Sequence, residues 1–130
     1  MHILIAEDDA PSRQILASIC KKADESHQVT LAENGQVAWA LLDDPKRWFD
    51  VVFLDVQMPE WGGLDVLRRL RKSPVYSSLE VVMCTASNDR ATITEAISLG
   101  VRHYIIKPCT EPVVTEKLRL IAEKRLAEAR

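Results

Sequence analysis

Polar residues stand directly after apolar runs at four places in this sequence, and their types suit one kind of chemistry. Glu7 and Asp8 follow Ile3-Leu4-Ile5-Ala6, Asp55 follows Val51-Val52-Phe53-Leu54, Thr85 follows Val81-Val82-Met83-Cys84, and Lys107 follows Tyr104-Ile105-Ile106. Clustered carboxylates repel one another unless a cation joins them, and oxygen-only ligands favour a hard ion such as Mg²⁺, which keeps several waters and welcomes a phosphate. A carboxylate can attack phosphorus to give an acyl phosphate while a metal and an ammonium neutralise the equatorial oxygens and a hydroxyl donates a hydrogen bond. The residues present match each of those roles. Each also has a plainer reading when taken alone: Asp55 as a turn former, Asp8 as part of a helix cap, Thr85 bonded to its own turn, Lys107 as a solvated charge. Their coincidence at four apolar exits favours the site.

The elements that would bring them together are readable in order. Residues 2–6 form an apolar strand, and Pro11 stands where a first helical turn tolerates proline. Ile15, Leu16, Ile19 and Ala23 then recur at helical spacing. A second strand is predicted around Gln28 to Ala32, a turn at Asn34-Gly35, and a second helix through Val37, Ala38, Leu41 and Leu42 closed by Asp43-Asp44-Pro45. The run ending at Asp55 lacks alternation, so it reads as a central strand covered on both faces. After Trp61-Gly62-Gly63 comes a helix with Leu64, Leu67 and Leu70 inward, whose Arg68, Arg69, Arg71 and Lys72 complement the helix dipole near its end. A fourth strand is expected from Glu80 to Cys84, and a helix capped by Asn88 or Asp89, carrying Ile93, Ala96 and Ile97, ends at Gly100. A fifth strand runs from about His103 to Ile106, and a final helix begins at about Glu111 with Val114, Leu118 and Ile121 inward. Strands alternating with helices imply right-handed βαβ crossovers and an open parallel sheet between helical layers. In such a sheet the strand exits share one edge, where ligands bind.

Composition bounds the rest. A chain of 130 residues that is 47% hydrophobic fits one domain, residues 1–130, with a single core. Its formal net charge of -2, of mixed sign, argues against a nucleic-acid-binding surface. The amino terminus does not read as a signal peptide and no run reaches membrane-spanning length, so a cytoplasmic protein is expected. Cys20, Cys84 and Cys109 are far apart with no CxxC pair, which supports neither a disulfide framework nor a zinc site. Trp39, Trp48 and Trp61 are expected at the ends of elements.

The motifs Ile3 to Asp9, Phe53 to Pro59 with Gly62-Gly63, Val82 to Ala86, and Tyr104 to Pro108 together resemble the receiver domain of bacterial two-component response regulators, over essentially the whole chain. The resemblance implies a flavodoxin-like (βα)5 α/β sandwich of three layers, with a five-stranded parallel sheet of order 2-1-3-4-5. It implies that Asp55 accepts a phosphoryl group from a histidine kinase or a histidine phosphotransfer protein. Glu7 and Asp8 would hold Mg²⁺ (or Mn²⁺), with Asp8, Asp55 and the Gln57 backbone carbonyl as direct ligands. Lys107 would contact the phosphoryl group, before a cis bond to Pro108. Thr85 would move to that group and the ring of Tyr104 would turn into the space it vacates. Gln57 and Ser87 stand at the positions that tune hydrolysis. The surface of helix four, strand five and helix five would meet an effector, an output domain or a second copy in a homodimer.

Two other functions compete. A receiver-like interaction module that no longer takes phosphate is disfavoured by the complete acid, threonine and lysine set. A turnover phosphohydrolase of the haloacid dehalogenase type wants a second acid two residues after the first, where Gln57 stands. The last turns of the final helix, Glu123 to Arg130, read either as a solvated end or as the start of a connection to an output domain.

Overall fold

Unbroken apolar segments are stable in the middle of a sheet only if helices cover both of its faces. The computed structural model, which describes residues 1–86 and 90–129, shows that arrangement. Strands β1 (His2–Ala6), β2 (Gln28–Ala32), β3 (Val51–Asp55), β4 (Glu80–Thr85) and β5 (His103–Ile106) alternate with helices α1 (Ala10–Ala23), α2 (Gly35–Leu42), α3 (Gly63–Lys72), α4 (Arg90–Ser98) and α5 (Glu111–Glu128). All strand pairs are parallel and the order is β2-β1-β3-β4-β5, the flavodoxin-like topology.

Side-chain alternation sorts the core into two layers. Ile3, Ile5, Val51, Phe53, Val82, Cys84 and Ile105 meet α1 and α5 through Leu16, Cys20, Val114, Leu118 and Ile121. On the other face Leu4, Ala6, Val52, Leu54, Val81 and Met83 meet α2, α3 and α4 through Ala38, Leu42, Val66, Leu67, Leu70 and Ala96. Every residue of β3 is buried, so burial of its apolar side chains drives folding and places its last residue, Asp55, where the core ends. At the opposite edge of the sheet α5 is pinned by Arg125 to Asp50 at 2.9 Å and by Lys124 to Glu80 at 2.7 Å.

Several local expectations change. Asn34-Gly35 is not a free turn. Asn34 is the N-cap of α2, its side chain accepting from Val37 N at 2.8 Å, and Gly35 is the first helical residue. A Cβ on Gly35 would lie 2.2 Å from the Trp61 carbonyl oxygen, so packing against the loop demands glycine there. The basic residues expected at the end of α3 are there and make specific contacts as well: Arg68 pairs with Glu95 at 2.6 Å, Arg69 lies 4.1 Å from the Trp61 ring centroid, and Arg71 donates to the carbonyls of Leu99 and Leu79. Ile15 and Ile97, on helices read from apolar spacing, remain 59% and 57% exposed because Leu16 and Ala96 take the inward positions. Gly100 ends α4 with φ +83°, a conformation that glycine adopts without a Cβ clash. The expected caps Asn88 and Asp89 lie outside the described residues.

Gly63 opens α3 hard against the exit of β3: a Cβ there would sit 2.4 Å from the Asp55 carbonyl oxygen and 3.2 Å from Met83 Cε. Gly63→Ala is expected to cost about 1–3 kcal/mol, read as a lower urea midpoint at unchanged slope.

Candidate functional site

Three strand exits are latched to their neighbours by backbone hydrogen bonds that run just past the ladders. Glu7 N donates to Ala32 O at 3.1 Å, Val56 N to Cys84 O at 2.9 Å, and Lys107 N to Thr85 O at 2.8 Å. These bonds fix the height of each exit, so the residues that follow the apolar runs stand side by side. The loop after Asp55 is held in turn by Gly63 N donating to Val56 O at 3.0 Å and by the Asp65 carboxylate accepting from Gly62 N at 3.1 Å. Arg13 on α1 donates to the Glu7 carbonyl at 2.8 Å and steadies the first exit.

Three acids and the lysine lie together at this edge. One carboxylate oxygen from each of Glu7, Asp8 and Asp55 lies within 4.8 Å of the others, with Glu7 and Asp55 buried and Asp8 exposed. Lys107 bridges the buried pair: its Nζ is 2.8 Å from Glu7 Oε1 and 3.0 Å from Asp55 Oδ2. Asp55 Oδ1 accepts from Gln57 N at 3.3 Å. Glu7 Oε2 is buried and has no hydrogen-bond partner among the described residues.

One ammonium between two buried carboxylates leaves a charge imbalance. Burial, reinforced by the neighbouring Glu7, pushes the Asp55 carboxyl up to about 7 against the pull of Lys107. Burial also acts to raise Glu7, but hydrogen bonds involving Asp55 and Lys107 outweigh it and hold that carboxyl below its usual value. Lys107 is raised because its contacts with Glu7 and Asp55 overcome the burial that would lower it. An orphaned buried carboxylate oxygen beside two further carboxylates is what a hard divalent cation satisfies, and the donors are all oxygens. The residues fit such an ion.

Asp8, Asp55, Gln57, Met58, Pro59, Ala86 and Lys107 line an open cleft of about 620 Å³, roomy enough for a phosphoryl group. Behind it Ile15, Leu16, Phe53, Cys84, Pro108 and Cys109 line a more apolar cavity of about 380 Å³ that also reaches Glu7, Asp55 and Lys107. Thr85 is buried at the end of β4, beside Ile106 in the ladder. Tyr104 points outward from β5 and is 43% exposed, and the Lys107-Pro108 bond is cis. Gln57 is exposed at the rim, whereas Ser87 lies outside the described residues. Residue types and spacing did not single out Ile106, which shares the outer face of β5 with Tyr104; period-two alternation from Tyr104 would have found it. The approach of Cys109 to Cys84 was also missed, because no local pattern joins them.

The family model described as the response regulator receiver domain matches residues 3–119. The chemotaxis protein CheY1 of Helicobacter pylori is 32% identical over 124 residues, covering 93% of this chain and 96% of that protein. The 3′,5′-cyclic-nucleotide phosphodiesterase regA of Dictyostelium discoideum is 29% identical over 124 residues, which make up 95% of this chain and only 15% of that protein. A CheY-like receiver domain protein from Methanospirillum hungatei has the same fold, with TM-score 0.87 at 20% identity over 98% of this chain and 97% of its own. Among the described residues no helix is long and apolar enough to cross a membrane.

The raised Asp55 carboxyl has a signed consequence. The folded chain binds that proton more tightly than an unfolded one, so the group favours folding at low pH and the advantage fades as pH rises from the ordinary carboxylate range through about 7. Glu7 has the opposite sign, with an advantage present above its ordinary value and lost on acidification. Without divalent cations, the stability of Asp55→Asn relative to the natural chain is expected to improve by on the order of 1–3 kcal/mol from about pH 4 to 8. Urea unfolding across that range checks it, and a constant difference contradicts it.

Proposed function

We propose, since the chain belongs to the receiver domains of two-component response regulators, that Asp55 accepts a phosphoryl group from the phosphohistidine of a histidine kinase or histidine phosphotransfer protein. The observation that carries this reading is the contact of Lys107 Nζ with both Asp55 and Glu7, which sets an ammonium and an acid cluster around one buried carboxylate. An Asp55 oxygen attacks phosphorus, the P–N bond to the imidazole breaks, and an acyl phosphate forms. Lys107 then shifts its contact from the carboxylate to a phosphoryl oxygen, a movement of its flexible stem. Glu7, Asp8, Asp55 and the Gln57 carbonyl would hold Mg²⁺ or Mn²⁺. When bound, such an ion supplies charge neutralisation on the phosphoryl oxygens. Gln57, at the rim, would position water for hydrolysis of the product, and Ser87 would share that role.

The product rather than turnover is the function. The Thr85 hydroxyl would swing to the phosphoryl group, and the outward ring of Tyr104 would turn into the space left behind. Ile97, Tyr104, Ile106, Val113 and Leu120 form exposed apolar surface on α4, β5 and α5, suited to an effector, an output domain or a second copy. A phosphoryl group shifts this surface only by as much as it favours one state, a few kcal/mol in such switches. A cytoplasmic setting accords with a kinase donor of this class.

Incubation with a small acyl phosphate and Mg²⁺ is expected to add one phosphoryl mass at Asp55 and none in Asp55→Asn; no gain at Asp55, or equal gain in both, would favour a phosphorylation-independent interaction module. Lys107→Ala is expected to slow the gain on the order of 100-fold, the loss of one preorganised electrostatic group. Thr85→Ala is expected to keep phosphorylation largely intact while weakening the signal, and unchanged partner binding by the phosphorylated variant would overturn the switch.

A further inference from the structure

Cys84 and Cys109 belong to segments that the ladder of β4 and β5 lays side by side. Cys84 pairs with Ile105 across that ladder, and the bond from Lys107 N to Thr85 O carries the two chains forward together past their ends. Cys109 then turns back over the core layer that contains Cys84 and Cys20. Both Cys84 and Cys109 line the cavity of about 380 Å³ behind Asp55, Cys84 from its buried wall and Cys109 from its half-buried rim. Both are free thiols, and each is the neighbour that acts most strongly on the other. A thiol reachable through an open cavity with a second thiol against it is the arrangement of a peroxide-sensitive pair, one sulfur reacting and the other resolving.

We propose that Cys84 and Cys109 are a redox modification site, closing to an intrachain disulfide when the chain meets a hydroperoxide and reopening with a thiol reductant. Peroxide oxidises the Cys109 sulfur to a sulfenic acid, its O–O bond breaking and one oxygen leaving as water. The Cys84 sulfur then attacks the Cys109 sulfur, the S–S bond forms, and the sulfenic oxygen leaves with the Cys84 proton as a second water. Two thiols are oxidised and one peroxide is reduced. Cys109 suits the first role because it is the half-buried thiol of the two, open to the cavity, whereas Cys84 is buried. Cys20, on the inward face of α1, is buried in the same layer, and its own variant separates it from the pair in the test below.

The bridge would tie the residue before Thr85 to the residue after Pro108. Thr85 and Lys107 are the two groups that must move toward a phosphoryl oxygen, so the oxidised chain is held in one arrangement. That consequence rests on the phosphoryl reading of Asp55, whereas the bridge itself does not.

The test treats the full chain, reduced and then freed of reductant, with hydrogen peroxide, and maps thiols by blocking, unfolding and mass spectrometry without reduction. The expected result is an intrachain Cys84–Cys109 peptide, a mass lower by two hydrogens, a monomer in solution, and reversal by dithiothreitol. Cys20→Ser is expected to bridge as before, and Cys109→Ser to bridge not at all while keeping a cooperative thermal transition. Oxidation of Cys109 only to sulfinic acid, or only to a disulfide between chains, overturns the proposal. A small acyl phosphate with Mg²⁺ is then expected to label the bridged chain about 10-fold or more slowly than the reduced one, as misplaced reacting groups do. A bridged chain labelled at an undiminished rate overturns the coupling. If neither form is labelled, the reading of Asp55 fails and the disulfide stands on its own mapping.

Discussion

Lys107 between Glu7 and Asp55 is the interaction on which the site depends. Two carboxylates buried at the end of a sheet cannot both carry charge without a cation, and one ammonium at 2.8 and 3.0 Å only partly answers them. The remainder appears as a raised Asp55 carboxyl and an orphaned Glu7 oxygen. Both would be relieved by a divalent cation held among Glu7, Asp8 and Asp55.

The fold pays for this concentration of acid with the apolar strands behind it. β1 and β3 are almost wholly buried, and the backbone bonds at three exits hold the acids, the hydroxyl and the ammonium at one height. Gly63 lets α3 approach β3 closely, and Gly35 lets α2 approach the Trp61 loop that follows Asp55. The same latches that place Thr85 and Lys107 together place Cys84 and Cys109 together, so chemistry at the thiols and chemistry at the carboxylate act on one pair of segments.

The strands and the exits were legible in the sequence because an apolar run followed by a charge is a local signal. The sheet order was reached through resemblance, since alternation alone leaves strand order open. Boundaries of β2, β5 and α5 followed from apolar and turn signals. What escaped depends on distant partners. Asn34-Gly35 reads as a turn until its cap and the Trp61 loop are seen, and Arg71 reads as a dipole complement until the carbonyls of Leu79 and Leu99 are found around it. Cys84 and Cys109 carry no shared motif; only the ladder of β4 and β5 joins them. The site acids were each ambiguous and became informative only as a set.

Calorimetric titration of Mg²⁺ into the chain near neutral pH, in two buffers of different ionisation enthalpy, tests the charge balance at Asp55 most directly. A carboxyl pushed up to about 7 must give up part of a proton as the ion binds. The predicted result is saturable binding with apparent enthalpies that differ between the buffers, and loss of that difference in Asp55→Asn. Equal enthalpies in both buffers, or no binding at all, would contradict it.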